Sequence, residues 1–204
     1  MKISRKELGV FSFLLAFLIV LYLISGGYNL LERVDISINS AILYIHNDFF
    51  SLMAEVFALI FDSYSLLIVS AVISVILFFK KYKKEAVLFL STMIVNSGVI
   101  YLLKEIVGRD RPLNGLVLES GFAFPSGHAT TCVVFFGLLC YLTFRSNKSR
   151  NFKILTLLAS SLLVLLIGFS RLYLNVHWFS DVLGGFLLGG FILFLGISVK
   201  EIFD

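Results

Sequence analysis

Six stretches of this chain run 17 residues or more without a charge: Leu8–Leu31, Ser63–Phe79, Ala86–Leu103, Ser120–Phe144, Ile154–Ser170 and Val182–Val199, with His128 counted as neutral. No other feature restricts the fold as severely. A helix needs ~17–25 mostly apolar residues to cross a bilayer. Backbone groups in lipid must be satisfied within their own segment, so the runs are expected to be helices rather than strands. The expectation is an all-α integral membrane bundle of six transmembrane helices, with residues 1–204 forming one domain. At 59% hydrophobic and 15% charged, the chain is unlike a soluble domain, in which about a quarter of residues are charged.

The first run follows the basic MKISRK, as a secretory signal would. It is too long for a signal core and lacks a small-x-small cleavage site, which predicts a retained helix. Twelve of the 17 basic residues fall at the termini and in alternate connectors: Lys2, Arg5 and Lys6; Lys80, Lys81, Lys83 and Lys84; Arg145, Lys148, Arg150 and Lys153; and Lys200. The positive-inside rule makes that side cytoplasmic, with both termini inside. The net charge of +4 then orients the protein in a plasma membrane and does not imply a nucleic-acid partner. Cys132 and Cys140 lie eight residues apart in one expected helix, too far for a disulfide, and are expected to be packing residues.

In the first outer connector, Gly26 to Glu55, the residues Ile38, Ile42, Ile45 and Phe49 recur at helical spacing beside polar Asn39, His46 and Asp48. This predicts a short helix lying in the interface; His46 is expected to be solvated or interfacial and without a catalytic part. Small residues in GGFLLGG, Gly184 to Gly190, allow helices to approach closely in lipid.

Five basic residues remain for the outer side: Arg33, Lys104, Arg109, Arg111 and Arg171. Four of them crowd into the connectors that also hold His128 and His177, in the stretches KEIVGRDRP, PSGH and SRLYLNVHWFSD. Ionisable residues at this depth are functional candidates. The surrounding cations would repel a divalent metal, and no H-E-x-x-H or paired-aspartate ligand set is present, so no metal and no other cofactor is expected. An anion fits: lysine supplies a point charge and arginine a planar fork matched to phosphate oxygens. Ser126-Gly127 would open a helix whose free N–H groups face the same anion.

His177 and Asp181 are four apart and can share a face at the start of the last helix. A carboxylate on one ring nitrogen fixes the tautomer and frees the other nitrogen to attack. His177 is therefore the candidate nucleophile, forming a phosphohistidine. His128 is the candidate acid for the leaving oxygen and then the base toward water.

With these residues in view, the chain resembles the type 2 phosphatidic acid phosphatase (PAP2) family, which shares its site with vanadium haloperoxidases and bacterial acid phosphatases. The family pattern K-x6-R-P, P-S-G-H, S-R-x5-H-x3-D is met by Lys104 and Arg111-Pro112, by Pro125 to His128, and by Ser170-Arg171, His177 and Asp181. The resemblance implies phosphate binding by Lys104, Arg111, Arg171, Ser126 and the Gly127 amide, with His128 as acid, His177 as nucleophile and Asp181 as its partner. Asn175 and Phe179 stand where commoner members carry Gly and Pro. The expected activity is metal-independent hydrolysis of a membrane lipid phosphate or diphosphate at the extracytoplasmic face. Undecaprenyl diphosphate, phosphatidylglycerophosphate and phosphatidate are the candidate substrates, and an outward-facing site favours a polyprenyl diphosphate. Phe122, Phe124, Trp178 and Phe179 are expected to flank the site at the interface. The alternative is an anion or lipid transporter with the basic cluster as vestibule, although transporters carry midplane sites in broken helices and have no use for an aspartate-backed histidine.

Overall fold

The computed structural model describes residues 5–26 and 29–202; Lys2 and the 27–28 stretch of the first apolar run lie outside the described residues. The described elements are helices: α1 (Arg5–Ser25), α2 (Asn29–Leu43), α3 (Asp48–Ile60), α4 (Ser63–Phe79), α5 (Lys83–Val107), α6 (Gly127–Arg145), α7 (Arg150–Tyr173) and α8 (Phe179–Ile202). Among the described residues, five helices (α1, α5, α6, α7 and α8) are each long and apolar enough to cross a membrane. The 17 residues of α4 follow α3 across a 43° bend, and counting that bent pair as one span raises the number to six.

Two expectations for the N-terminal third change. The run Leu8–Leu31 is not one helix, because α1 stops at Ser25 and α2 starts at Asn29. The outer connector holds two helices, not one short interfacial helix. Ile38 and Ile42 lie on α2 and pack toward Leu172, Tyr173 and Leu174. Ile45 falls in the turn and Phe49 on α3, both exposed. The periodicity that joined these four residues crosses a helix boundary at His46-Asn47, where the Asn47 side chain caps α3 by accepting from Phe50 N. His46 is not simply solvated: its Nε2 lies 2.7 Å from the Tyr173 carbonyl.

Large apolar side chains face outward along the bundle, among them Leu15, Ile68, Val87, Leu155 and Leu165, while Ser70, Ser74, Thr92 and Asn96 are buried. This inverts the soluble pattern and suits a lipid surround. In lipid, burying apolar surface between helices gains little, and close packing does the work instead. The α8 helix packs against α6 and α1, and α6 against α7 and α5. Glycines set the α6–α8 spacing. A Cβ on Gly185 would lie 2.9 Å from the Ala129 Cβ, and one on Gly189 would lie 2.8 Å from the Thr130 carbonyl oxygen. On the other faces of α8, Gly184 meets Phe124 and Gly190 meets Phe13. Both cysteines are free thiols.

The α5 helix sets the depth of everything that follows. Lys83 opens it and Lys104 lies in its last turn, so at 1.5 Å per residue the two ends stand about 31 Å apart. That matches a hydrocarbon core of ~30 Å. The lysine-rich turn before α5 and the residues after it therefore belong to opposite faces.

Candidate active site

Each site residue is delivered by a helix end. Gly108 stops α5 in the left-handed region, φ 61°, with its N–H on the Lys104 carbonyl. Glycine enters that region without steric cost, so α5 ends one turn after Lys104 and the chain turns toward Arg109 and Arg111. The loop returns through Pro125 to Ser126, whose buried hydroxyl caps α6 by accepting from Ala129 N. The helix thus begins at Gly127, not at Ser120 where the uncharged run starts, and His128 lies in its first turn. Arg171 occupies the last turn of α7. Beyond it Asn175 takes φ 53°, a region that asparagine tolerates better than most residues. This accounts for Asn at a position where glycine would also serve. Its side chain is held by the Asn39 amide at 2.7 Å and the Asn114 carbonyl at 3.0 Å. His177 then precedes α8, and Asp181 lies in the first turn of that helix, where the dipole favours a carboxylate.

His177 is 2% exposed, and its ring stands between two groups of opposite character. Nδ1 is 3.4 Å from Asp181 Oδ2, and Nε2 is 3.3 Å from Arg111 Nη1. A guanidinium has donors and no acceptor, so Nε2 carries the lone pair and Nδ1 carries the proton toward Asp181. Burial holds His177 well below its ordinary value of 6.5, and the charges of Arg111, Arg171, Lys104 and His128 push the same way. The neutral, Nδ1-protonated ring is the form that can attack an electrophile.

Lys104, Arg111 and Arg171 converge on the same region. Lys104 Nζ donates to the Phe122 carbonyl. Arg111 is tied down by the carbonyls of Gly121 (2.9 Å), Val176 (2.9 Å) and Ser120 (3.2 Å). Arg171, 1% exposed, donates from Nη2 to Glu119 Oε1, while its buried Nε has no hydrogen-bond partner among the described residues. Glu119 Oε2 lies 3.8 Å from Arg111, so one carboxylate bridges two of the expected phosphate ligands. Burial opposes ionisation of Glu119, but the charge and hydrogen bond of Arg171, helped by His128 and Arg111, outweigh it and hold the carboxyl below its ordinary value. His128 joins the cluster from α6, its Nε2 3.1 Å from the Ala58 carbonyl. All eight residues named from the sequence lie on the segments that build this end of the bundle. Ser126 and Gly127 stand at the start of α6, Ser126 engaged as its helix cap and donating its N–H to the Asp181 carbonyl at 3.0 Å.

Three contributors were not assigned from the sequence. Arg109 donates to both buried aspartates, Asp181 Oδ1 at 2.5 Å and Asp35 Oδ2 at 2.7 Å. It was visible among the five cations assigned to the outer side by sequence but had no partner to distinguish it from Arg111. Asp35 on α2 also accepts from Ser180 N at 2.8 Å, and nothing in its surroundings in sequence signals that pairing. Glu119 did leave a signal, being the single acidic residue between Asp110 and Asp181. Phe124 departs from its expected place: it is fully buried, stacked on Phe17 with centroids 5.9 Å apart, and not an interfacial flank. Phe122, Trp178 and Phe179 are half-buried near the loop.

A cationic, histidine-bearing site at one end of a lipid-facing helical bundle defines the class, a multi-pass membrane hydrolase of phosphoric esters. The chain belongs to the PAP2 superfamily, whose sequence pattern it matches over residues 85–201. It is 31% identical over 170 residues to phosphatidylglycerophosphatase B of Bacillus subtilis (strain 168), covering 82% of this chain and 83% of that protein. It is 27% identical over 137 residues to an undecaprenyl-diphosphatase of Sulfolobus acidocaldarius, covering 64% of this chain and 62% of the relative. The fold superposes on the crystal structure of a transmembrane PAP2-type phosphatidylglycerolphosphate phosphatase from Bacillus subtilis with a TM-score of 0.87 at 28% identity, over 96% of this chain and 97% of that one. With an enzyme family assigned, the transporter alternative falls away.

Proposed function

We propose that the protein hydrolyses the phosphate of a membrane lipid at the extracytoplasmic face of the plasma membrane through a phosphohistidine on His177. The observation that carries this reading is the ring of His177, with its Nδ1 toward Asp181 and its Nε2 beside Arg111. His177 Nε2 attacks phosphorus, and the bond to the leaving oxygen breaks as His128 protonates that oxygen. Water then attacks the phosphohistidine while His128 takes its proton, releasing inorganic phosphate and restoring His177. Lys104, Arg111 and Arg171 neutralise the equatorial oxygens, whose charge is best matched in the transition state. Phosphate entering between Arg171 and Arg111 displaces the Glu119 carboxylate. The mechanism uses no metal and no other cofactor.

The likeness to a phosphatidylglycerophosphatase of Bacillus subtilis, in sequence and in fold, shifts the preferred substrate away from the polyprenyl diphosphate favoured by sequence and toward phosphatidylglycerophosphate. The undecaprenyl-diphosphatase likeness keeps the diphosphate as the second reading. The test compares kcat/KM in one detergent on phosphatidylglycerophosphate, undecaprenyl diphosphate and p-nitrophenyl phosphate. Binding of the lipid tail helps position the phosphate, so the preferred lipid is expected to exceed the soluble ester by about 10²-fold or more. Equal efficiency on the soluble ester would refute a lipid substrate.

The membrane side rests on the split of basic residues and is tested separately. In a background lacking Cys132 and Cys140, a cysteine at exposed Leu118 is expected to react with an impermeant thiol reagent added to intact cells. A cysteine at Asn147, in the α6–α7 turn, is expected to react only after the membrane is opened. The reverse pattern would place the site in the cytoplasm.

A further inference from the structure

Asp62 belongs to none of the three motifs and sits at the break between α3 and α4. Its two oxygens face different ways. Oδ2 caps α4, accepting from Tyr64 N at 2.9 Å and Ser65 N at 3.4 Å. Oδ1 lies 3.7 Å from His128 Nε2. The break is tied to the helix that carries His128, since Thr131 Oγ1 lies 3.3 Å from Ser63 Oγ and Cys132 Sγ lies 3.9 Å from the Phe61 carbonyl. The bend between α3 and α4 thereby sets a carboxylate beside the ring of the candidate acid.

We propose that Asp62 is the positioning residue that holds His128 in its proton-donating form, a role that rests on His128 being the acid. Nε2 of His128 faces two acceptors, the Ala58 carbonyl at 3.1 Å and Asp62 Oδ1. A carbonyl and a carboxylate only accept, so Nε2 keeps its hydrogen in both states of the ring and Nδ1 is the nitrogen that gives and takes the proton. When Nδ1 is protonated the ring is a cation. Burial and Arg171 of α7 oppose that cation, whereas Glu119 of the loop, the Ala58 carbonyl and Asp62 favour it. Substrate phosphate that displaces Glu119 from Arg171 leaves Asp62 as the carboxylate on the far edge of the ring, where it also fixes the ring plane. In the first step the P–O bond breaks, its electron pair goes to the leaving oxygen, and that oxygen takes the Nδ1 proton. In the second, the P–N bond breaks, its pair returns to His177, and a proton of the attacking water goes to Nδ1. Asp62 itself exchanges no proton.

The test is Asp62→Asn in the full chain. Asparagine caps a helix as well as aspartate does, so the substitution removes charge while keeping the start of α4. Phosphatidate releases diacylglycerol as an alkoxide that requires a proton, whereas p-nitrophenolate departs from its ester without one. Asp62→Asn is expected to lower kcat/KM about tenfold on phosphatidate and less than about twofold on p-nitrophenyl phosphate, a fraction of the ~10²–10⁴-fold that a positioned acid supplies. A purely structural role would lower both alike, so equal losses, or no loss on either substrate, would overturn the proposal. His128→Gln keeps the two assignments apart. If that variant shows the selective loss and Asp62→Asn does not, Asp62 has no such role. If His128→Gln loses both substrates equally, the acid assignment itself fails.

Discussion

Replacing His177 by alanine is expected to lower phosphate release by about 10⁴-fold or more, since removing a covalent nucleophile disables the unit it belongs to. The comparison requires folded protein, checked by gel filtration and thermal unfolding in detergent, because a buried ring leaves a cavity. Asp181→Asn should keep the bundle yet lose much of the rate, because an amide can present its N–H to Nδ1 and favour the wrong tautomer. The same geometry sets a pH dependence. His177 must be neutral to attack, and burial together with Arg111, Arg171, Lys104 and His128 holds it well below 6.5. A lowered value extends the neutral, reactive form to lower pH. The acid limb of kcat/KM that reports His177 is therefore expected below pH 6.5, not at it. Wild-type turnover in folded His177→Ala protein would remove the nucleophile assignment.

The apolar runs located α4, α5, α7 and α8 to within a few residues because lipid imposes one requirement on every spanning segment: length without charge. They failed at the first connector, where α2 and α3 are amphipathic and partly packed on α7, so that neither length nor charge marks their ends. The run Ser120–Phe144 began seven residues before α6 because an uncharged loop and an uncharged helix look alike; the Ser126 cap carried the boundary. The motif residues were legible because cations on the side that the split of basic residues assigns to the outside run against that split and stand out. Their partners were harder to see. Asp35 and Asp62 lie on segments far away in sequence, and a carboxylate near a helix end carries no signal until the fold brings it to Arg109 or His128. The bridge that Glu119 makes between Arg171 and Arg111 is likewise set by the fold and not by spacing.

The other large effect is expected at Arg109, on stability as much as on rate. Its Nη1 reaches Asp181 Oδ1 at 2.5 Å and Ser180 Oγ at 2.7 Å, and its Nη2 reaches Asp35 Oδ2 at 2.7 Å. The guanidinium also lies 5.7 Å from the centre of the Trp178 ring. Asp35 and Asp181 are 1% and 0% exposed, so Arg109→Ala would strand two carboxylates in a space that water barely reaches. Removing one partner of a buried pair costs about 3–5 kcal/mol. The Arg109 side chain is 18% exposed, and the screening this brings places the expected loss near the lower figure. For a chain of this size, ~2–4 °C per kcal/mol converts that loss into a fall in Tm of about 6–12 °C. Arg109→Lys should fall between, because one ammonium cannot span both aspartates with the two arms of a fork. Activity should decline further than stability alone explains, because Asp181 would then orient His177 with only the Trp178 N–H, at 2.9 Å, to hold it. The decisive construction is Asp35→Asn in the Arg109→Ala background. Neutralising the stranded carboxylate should recover part of the Tm without restoring the rate, since Asp35 stands behind Asp181 and does not touch the histidine. A fall in Tm below about 2 °C in Arg109→Ala, or rate and Tm recovering together in the double variant, would mean that Arg109 does not hold the nucleophile's partner in place.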